Sequence, residues 1–343
     1  KNIALYSIAG LVYYVIGYAL MYTNVDKGWI GAFELLYNPA PAELALLNAA
    51  DAGKAAANAA VLKGSTYASM SDWFFQMVFV ATAASIVSGT LAERIRVWPF
   101  LIFVVVLTGV IYPIQGSWQW GGGWLSEMGF ADFAGSTLVH SCGGWAALTG
   151  AIILGARKGK YGPNGRVNPM PGANMPLATI GTFILWLGWF GFNGGSQLAM
   201  GSAADVIAIS TIYVNTNLAA AGGIIAAMAL TQMLYKKVDL SLALNGAIAG
   251  LVSITAGPDT PSPLMAIMIG AVGGILVVII VPLLDKLRID DVVGAISAHL
   301  VAGIWGTIAV PLTNSDASLG TQLIGIVSIG AFVVLASSIF WLI

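Results

Sequence analysis

The sequence predicts an all-α protein, a polytopic bundle of transmembrane helices, and three observations predict it. Hydrophobic residues make up 58% of the 343 residues and charged residues only 8%, whereas soluble domains carry roughly a quarter charged residues. The apolar runs are continuous and about twenty residues long, enough for a helix to cross a bilayer core, and lack the alternation of a membrane β-barrel. The chain also holds 42 glycines, and small residues let transmembrane helices pack with their backbones close together. The net charge of −1 says nothing about partners, and no nucleic-acid partner is expected. The single cysteine, Cys142, excludes an intramolecular disulfide and sits within a span as a small packing residue.

Taken in order, the apolar runs place ten spans near 3–22, 72–92, 97–115, 133–156, 175–197, 205–235, 241–256, 263–284, 292–312 and 320–343, the seventh being the shortest. The loops after the second, fourth, sixth and eighth spans carry Arg94, Arg96, Arg157, Lys158, Lys160, Arg166, Lys236, Lys237, Lys286 and Arg288. With Lys1 these are 11 of the 14 basic residues on one side, so that side is expected to be cytoplasmic. Lys27, Lys54 and Lys63 share the long 23–71 loop on the other side, whose Ala55–Ala60 stretch is expected to form a short surface helix in a cap without chemistry. Glu93, Arg94 and Arg96, after the second span, are expected in a solvated cytoplasmic turn.

Only two histidines occur, and both lie in one repeated pattern. Asp132-Phe-Ala-Gly135 leads through Val139 to His140 and Gly144; Asp291-Val-Val-Gly294 leads through Ala298 to His299 and Gly303. The spans that carry them, the fourth and the ninth, are five apart and so run antiparallel, which is the signature of an inverted five-plus-five repeat. The whole chain, 1–343, is expected to be a single membrane domain, with half-repeats at 1–156 and 175–312 and a last helix at 320–343. The first half is one span short, so a leading helix is expected ahead of Lys1.

From Asp132 to His140, and from Asp291 to His299, is eight residues, or roughly 12 Å of helix from opposite faces. In a core about 30 Å thick, both rings then fall near the midplane. One histidine on an apolar helix is usually a packing residue, but two at matched depth argue for function, because buried ionisable groups are costly and need partners. Neutral rings, each a donor and an acceptor, could relay a proton through a dry path.

Topology gathers a second set at the outer mouth: Trp120, Phe75 and Phe79, Phe192 and Ser196, with Asp132. Aromatic faces and a hydroxyl suit a small cation, and a pair of stacked phenylalanines passes a neutral molecule more readily than a charge; an interfacial aromatic belt is the alternative. Asp132 could meet the cation, or could cap its own helix as its twin Asp291 would cap the ninth. No nucleophile–base set, metal cluster or cofactor motif is apparent, so an enzyme is not expected.

The segments Phe75-Gln-Met-Val-Phe79, Leu91-Ala-Glu-Arg-Ile-Arg96, Trp120-Gly-Gly-Gly123, Asp132 to His140, Gly188 to Ser196, and Asp290-Asp291 through His299 to Trp305-Gly-Thr307 together resemble the Amt/Mep/Rh ammonium transporter family, in its Amt branch. The resemblance implies eleven helices, a homotrimer with one pore per subunit, and a multi-pass protein of the plasma or inner membrane, surrounded by lipid. It implies that Trp120, Ser196 and Phe79 recruit ammonium with Asp132 near the mouth, that Phe79 and Phe192 form the gate beside Phe75, and that His140 and His299 line the pore. Ammonium would then lose a proton and cross as ammonia, the proton passing along the histidines. Leu300 stands where the family usually has glycine, which implies a narrower inner pore. The sequence ends at Ile343 without the cytoplasmic tail that family members use with regulatory or signalling partners. An ammonium sensor with little transport is therefore the alternative function, and a passive gas or water channel is a third.

Overall fold

The computed structural model describes residues 1–56, 58, 61 and 67–343 of the chain. Ten helices make the bundle among the described residues: α1 Asn2–Tyr22, α2 Ser69–Thr90, α3 Val97–Glu127, α4 Ser136–Leu154, α5 Met175–Gly195, α6 Ala203–Tyr235, α7 Leu240–Ile254, α8 Pro263–Lys286, α9 Ile296–Leu312 and α10 Leu319–Leu342. Eight are long and apolar enough to cross a membrane, while α7 and α9 are shorter apolar helices. The ten expected spans are all present, and the seventh is short as expected. The protein is an all-helical, multi-pass membrane protein.

Glycine sets how tightly the second group of helices crosses. Any Cβ at Gly223 of α6, Gly246 of α7 or Gly274 of α8 would collide with the backbone of a neighbouring helix, so these three helices touch main chain to main chain. In the first group, bulky residues such as Phe100, Phe103, Leu107 and Leu138 fill the space between α3, α4 and α10.

The two Asp-to-His motifs fold alike. Gly135 and Gly294 adopt left-handed backbone with φ of 104° and 76°, a conformation that a side chain would strain. Each glycine is followed by a widened, π-helical turn, Ser136–Ser141 and Ile296–Val301, that holds the histidine; such turns recur at functional positions. Asp132 accepts hydrogen bonds from the N–H groups of Gly135 and Ser136 (3.1 and 2.8 Å) and of Thr137 and Leu138 (2.8 and 2.9 Å). Asp291 accepts from Ala295 (3.1 Å), Ile296 (2.7 Å) and the Thr90 hydroxyl (3.1 Å).

This geometry corrects the depth arithmetic. Residues 132–135 are not helical, so His140 lies in the first turn of α4 rather than two turns in. The non-helical approach is tolerated because it is paired with protein: Phe133 and Ala134 N–H donate to the carbonyls of Ala256 and Thr255, just beyond α7 (2.8 and 3.0 Å). Irregular backbone at membrane depth requires such partners.

The outer loop gains an element and the turn after α2 departs from expectation. The 23–71 loop carries a short helix at Pro41–Asn48, where Pro41 opens the first turn and Glu43 sits near the positive end of the dipole. Around the alanine-rich stretch, Lys54, Ala55, Ala56, Asn58 and Val61 are helical, and residues 57, 59 and 60 lie outside the described residues.

The turn after α2 is not simply solvated either. Arg94 and Arg157 have side chains only 8% exposed and converge on the buried Asp290. Asp290 accepts from the Arg157 backbone N–H (2.8 Å), Nε (2.9 Å) and Nη2 (3.1 Å), while Arg94 Nη2 donates to the Asp290 carbonyl (2.6 Å). Arg157 also pairs with Glu93 at 2.7 Å. A buried carboxylate needs such partners, and here they tie together the ends of α2 and α4 and the approach to α9. Burial pushes the Asp290 carboxyl up, but the hydrogen bonds and charge of Arg157, with Arg94, outweigh it and hold the group below its ordinary value.

Candidate functional site

Helix periodicity builds the outer site on α2. Phe75 and Phe79 lie one turn apart on one face, with ring centroids 4.5 Å apart. Phe192 from α5 stands against Phe79, centroids 4.0 Å apart and planes at 30°. Trp120, where α3 breaks at Trp120-Gly-Gly-Gly123, meets Phe79 edge-on at 5.8 Å and 85°. Its indole Nε1 donates to the main-chain carbonyl of Asp132 at 3.0 Å. Ser196 follows the last turn of α5 and donates its hydroxyl to the Phe192 carbonyl (2.9 Å). That donation leaves the oxygen lone pairs free to accept.

Trp120, Ser196, Phe75 and Phe79 share an outer cavity of about 120 Å³. A second cavity of about 530 Å³ lies beneath it and is lined by Phe75, Phe79, Phe192, Trp189, His140 and His299. Phe75 and Phe79 line both, so their rings are the partition between them. No charged side chain lines the lower cavity among the described residues.

The histidines meet inside this lower cavity. His140 Nδ1 and His299 Nδ1 are 3.1 Å apart, with ring planes at 20°. His140 is 1% exposed, and its ring lies parallel to Trp189 at 5.0 Å. Trp189 is held from behind, Nε1 donating to the Thr255 hydroxyl (2.9 Å), which lies beside Asn193. A hydrogen bond between two Nδ1 atoms needs one to carry the proton and the other to accept it, so two neutral rings must be opposite tautomers. His140 Nε2 has no partner among the described residues, leaving one polar atom open in an apolar lumen.

Two sequence expectations are revised here. Both carboxylate oxygens of Asp132 are consumed by four backbone N–H groups, and the residue is 2% exposed. Asp132 therefore reaches the mouth through its carbonyl, which orients Trp120, and not as a direct cation ligand. Leu300 does not line the lower cavity. It is 3% exposed and packs against Gly144, where an added Cβ would collide with it; it fills helix packing and does not narrow the lumen.

Several residues lining the outer cavity went unread in the sequence, Asp72 and Gln76 among them. Asp72 and Gln76 face the outer cavity with Trp120 and Ser196. The available signal was spacing: Asp72, Gln76 and Phe79 follow the i, i+4, i+7 pattern of one helical face.

Residues 1–343 match the Ammonium Transporter Family. The chain belongs to this family. Ammonium transporter Amt2 of Archaeoglobus fulgidus is 40% identical over 332 residues, covering 93% of the chain and 64% of the relative. The Bacillus subtilis ammonium transporter is 38% identical over 251 residues, covering 72% and 59%. The chain thus spans about three fifths of the length of these curated relatives. Among solved structures, one described as a sensor Amt protein superposes with a TM-score of 0.86 at 36% identity, covering 99% of the chain and 82% of its own. Mep2 of Saccharomyces cerevisiae gives 0.82 at 27% identity, covering 98% and 76%. In this family member the aromatic cup, the phenylalanine partition and the paired histidines adjoin one another: Phe79 meets Trp120 and Phe192, and the Phe192 ring centroid lies 5.3 Å from that of His140.

Proposed function

We propose that this protein carries ammonium across a plasma or inner membrane, taking up the cation outside and conducting ammonia through its core. Trp120, Phe79 and Ser196 hold ammonium: the rings by cation–π attraction, about 0.5–2 kcal/mol each as water is removed, and the serine by accepting an N–H. Phe75, Phe79 and Phe192 close the way below. Ammonium and K⁺ are similar in size and charge, so the cup alone cannot separate them; ammonium can leave its proton and enter neutral, avoiding much of the cost of a charge in the bilayer centre. His140 and His299 take the proton onward by exchanging tautomers. The observation that supports this most is the 3.1 Å contact between two imidazoles in a lumen that no charged side chain lines among the described residues.

The chain is read as one membrane domain with half-repeats at 1–156 and 175–312 and a last helix at 320–343, assembling as a homotrimer with one pore per subunit. A second reading, an ammonium sensor acting on a cytoplasmic partner, draws support from the likeness to the sensor Amt protein. An ammonium-evoked current from purified protein in liposomes tests the two. Transport gives a saturable current, whereas saturable binding without current supports the sensor and removes transport.

A further inference from the structure

The outer cavity contains more than an aromatic cup. Asp72 and Gln76, both 5% exposed, line the same 120 Å³ space as Trp120, Phe79 and Ser196. That volume holds an ion the size of water with part of its hydration shell. Asp72 Oδ2 accepts the phenolic proton of Tyr18 at 2.6 Å, and Tyr18 is itself fixed among Tyr13, Tyr22 and Tyr37, with ring centroids 4.1–5.8 Å away. No described lysine or arginine forms an ion pair with the carboxylate. The carbonyl oxygen of Gln76, one turn on, is buried and has no partner among the described residues.

Asp72 lies in the first turn of α2, where a carboxylate favours the helix dipole. That accounts for an acid at this position. It does not account for a buried carboxylate and an unpartnered amide oxygen opening into one cavity beside three cup residues. A buried polar oxygen without a donor is costly, and a small N–H-bearing cation in the cavity is the partner that it lacks.

We propose that Asp72 and Gln76 are ligands of the outer site, supplying a carboxylate and a carbonyl oxygen to a small monovalent cation that carries N–H donors. This rests on reading the cup as the ammonium site. Ammonium has four N–H bonds. Asp72, Gln76 and Ser196 offer three acceptors for them, while Trp120 and Phe79 cover the ion with π faces. Asp72 thereby sets how tightly the cation is held before it reaches the phenylalanine partition. The conducting step below does not involve it.

The test compares wild type, Asp72→Asn, Asp72→Glu and Gln76→Leu, by calorimetric binding of ammonium chloride to purified protein and by ammonium-evoked current in liposomes. Asp72→Asn is expected to weaken binding and raise half-saturation about tenfold, the change for losing one charge-assisted contact, with the maximal current within about twofold. Loss of binding shared by substrate and transition state has this signature. Asp72→Glu, which keeps the charge, is expected to recover at least half of the lost affinity on a logarithmic scale. Gln76→Leu adds no buried charge, carries the test if Asp72→Asn does not fold, and is expected to raise half-saturation about threefold or more, the low end for one lost hydrogen bond.

Wild-type binding and half-saturation in Asp72→Asn and Gln76→Leu would overturn the proposal, as would Asp72→Glu behaving no better than Asn while only maximal current falls. Wild type that binds ammonium but passes no current removes the transport reading and leaves the binding comparison to judge Asp72. Wild type that binds no ammonium overturns both.

Discussion

Replacing Asp132 by Asn separates a structural carboxylate from a cation ligand. Each Asp132 oxygen accepts from two backbone N–H groups, with the Gly135 and Ser136 pair on one and the Thr137 and Leu138 pair on the other. An asparagine keeps one acceptor oxygen and presents an amide N–H₂ where the second stood. Two buried donors then lose their partner and face another donor, at about 1–3 kcal/mol each, or about 2–4 kcal/mol together after some relaxation. For a chain of 343 residues that corresponds to a fall of roughly 3–6 °C in melting temperature. Asp132→Ala, which removes both acceptors, is expected to cost about 4 kcal/mol or more. The assay is thermal unfolding in detergent, followed by ammonium titration of the protein that remains folded. Melting within about 2 °C of wild type, together with half-saturation raised tenfold, would refute the reasoning and make the carboxylate a ligand of the ion.

Two further predictions concern the inner end and helix packing. The Asp290 carboxyl titrates below its ordinary value because of Arg157 and Arg94. Its stabilisation is therefore fully present above the unfolded value of about 3.9 and is lost as pH falls through the lower folded value. Arg157→Gln, which leaves Asp290 short of a buried partner, is expected to destabilise by about 3 kcal/mol and to flatten the loss of melting temperature below pH 4; an unchanged acid profile would contradict the assignment. Leu300→Gly is expected to lower stability by about 2–4 kcal/mol, since it empties the packing against Gly144, while leaving half-saturation and maximal current as in wild type. A faster current at unchanged stability would instead put Leu300 in the pore.

Fold class was legible because hydrocarbon imposes long apolar runs, and the ten spans follow from counting them. The cup was legible for another reason. Trp120, Phe79, Phe192 and Ser196 sit at the ends of spans whose sidedness the basic loops fix, so topology alone brings them to one side. What the sequence did not carry was orientation. Eight residues from Asp to His read as two helical turns, but left-handed glycines at 135 and 294 delay each helix, and the aspartates turn back to cap it. Arg94 and Asp290 lie 196 residues apart in the chain, so their pairing exists only after α2 and the approach to α9 are packed together. Asp72 was passed over because one carboxylate at the start of an apolar helix looks like an ordinary helix terminus. Its burial beside Gln76 and Trp120 depends on tertiary contacts with α1 and α3.

The reading of the core as a proton-relaying, neutral-substrate pathway is tested most directly by recording currents in liposomes for His140→Ala, His299→Ala and wild type, with ammonium and K⁺ offered separately. The account predicts an ammonium current and no K⁺ current in wild type, and either loss of the ammonium current or appearance of a K⁺ current when either imidazole is removed. Ammonium currents of wild-type size with K⁺ still excluded in both variants would contradict it.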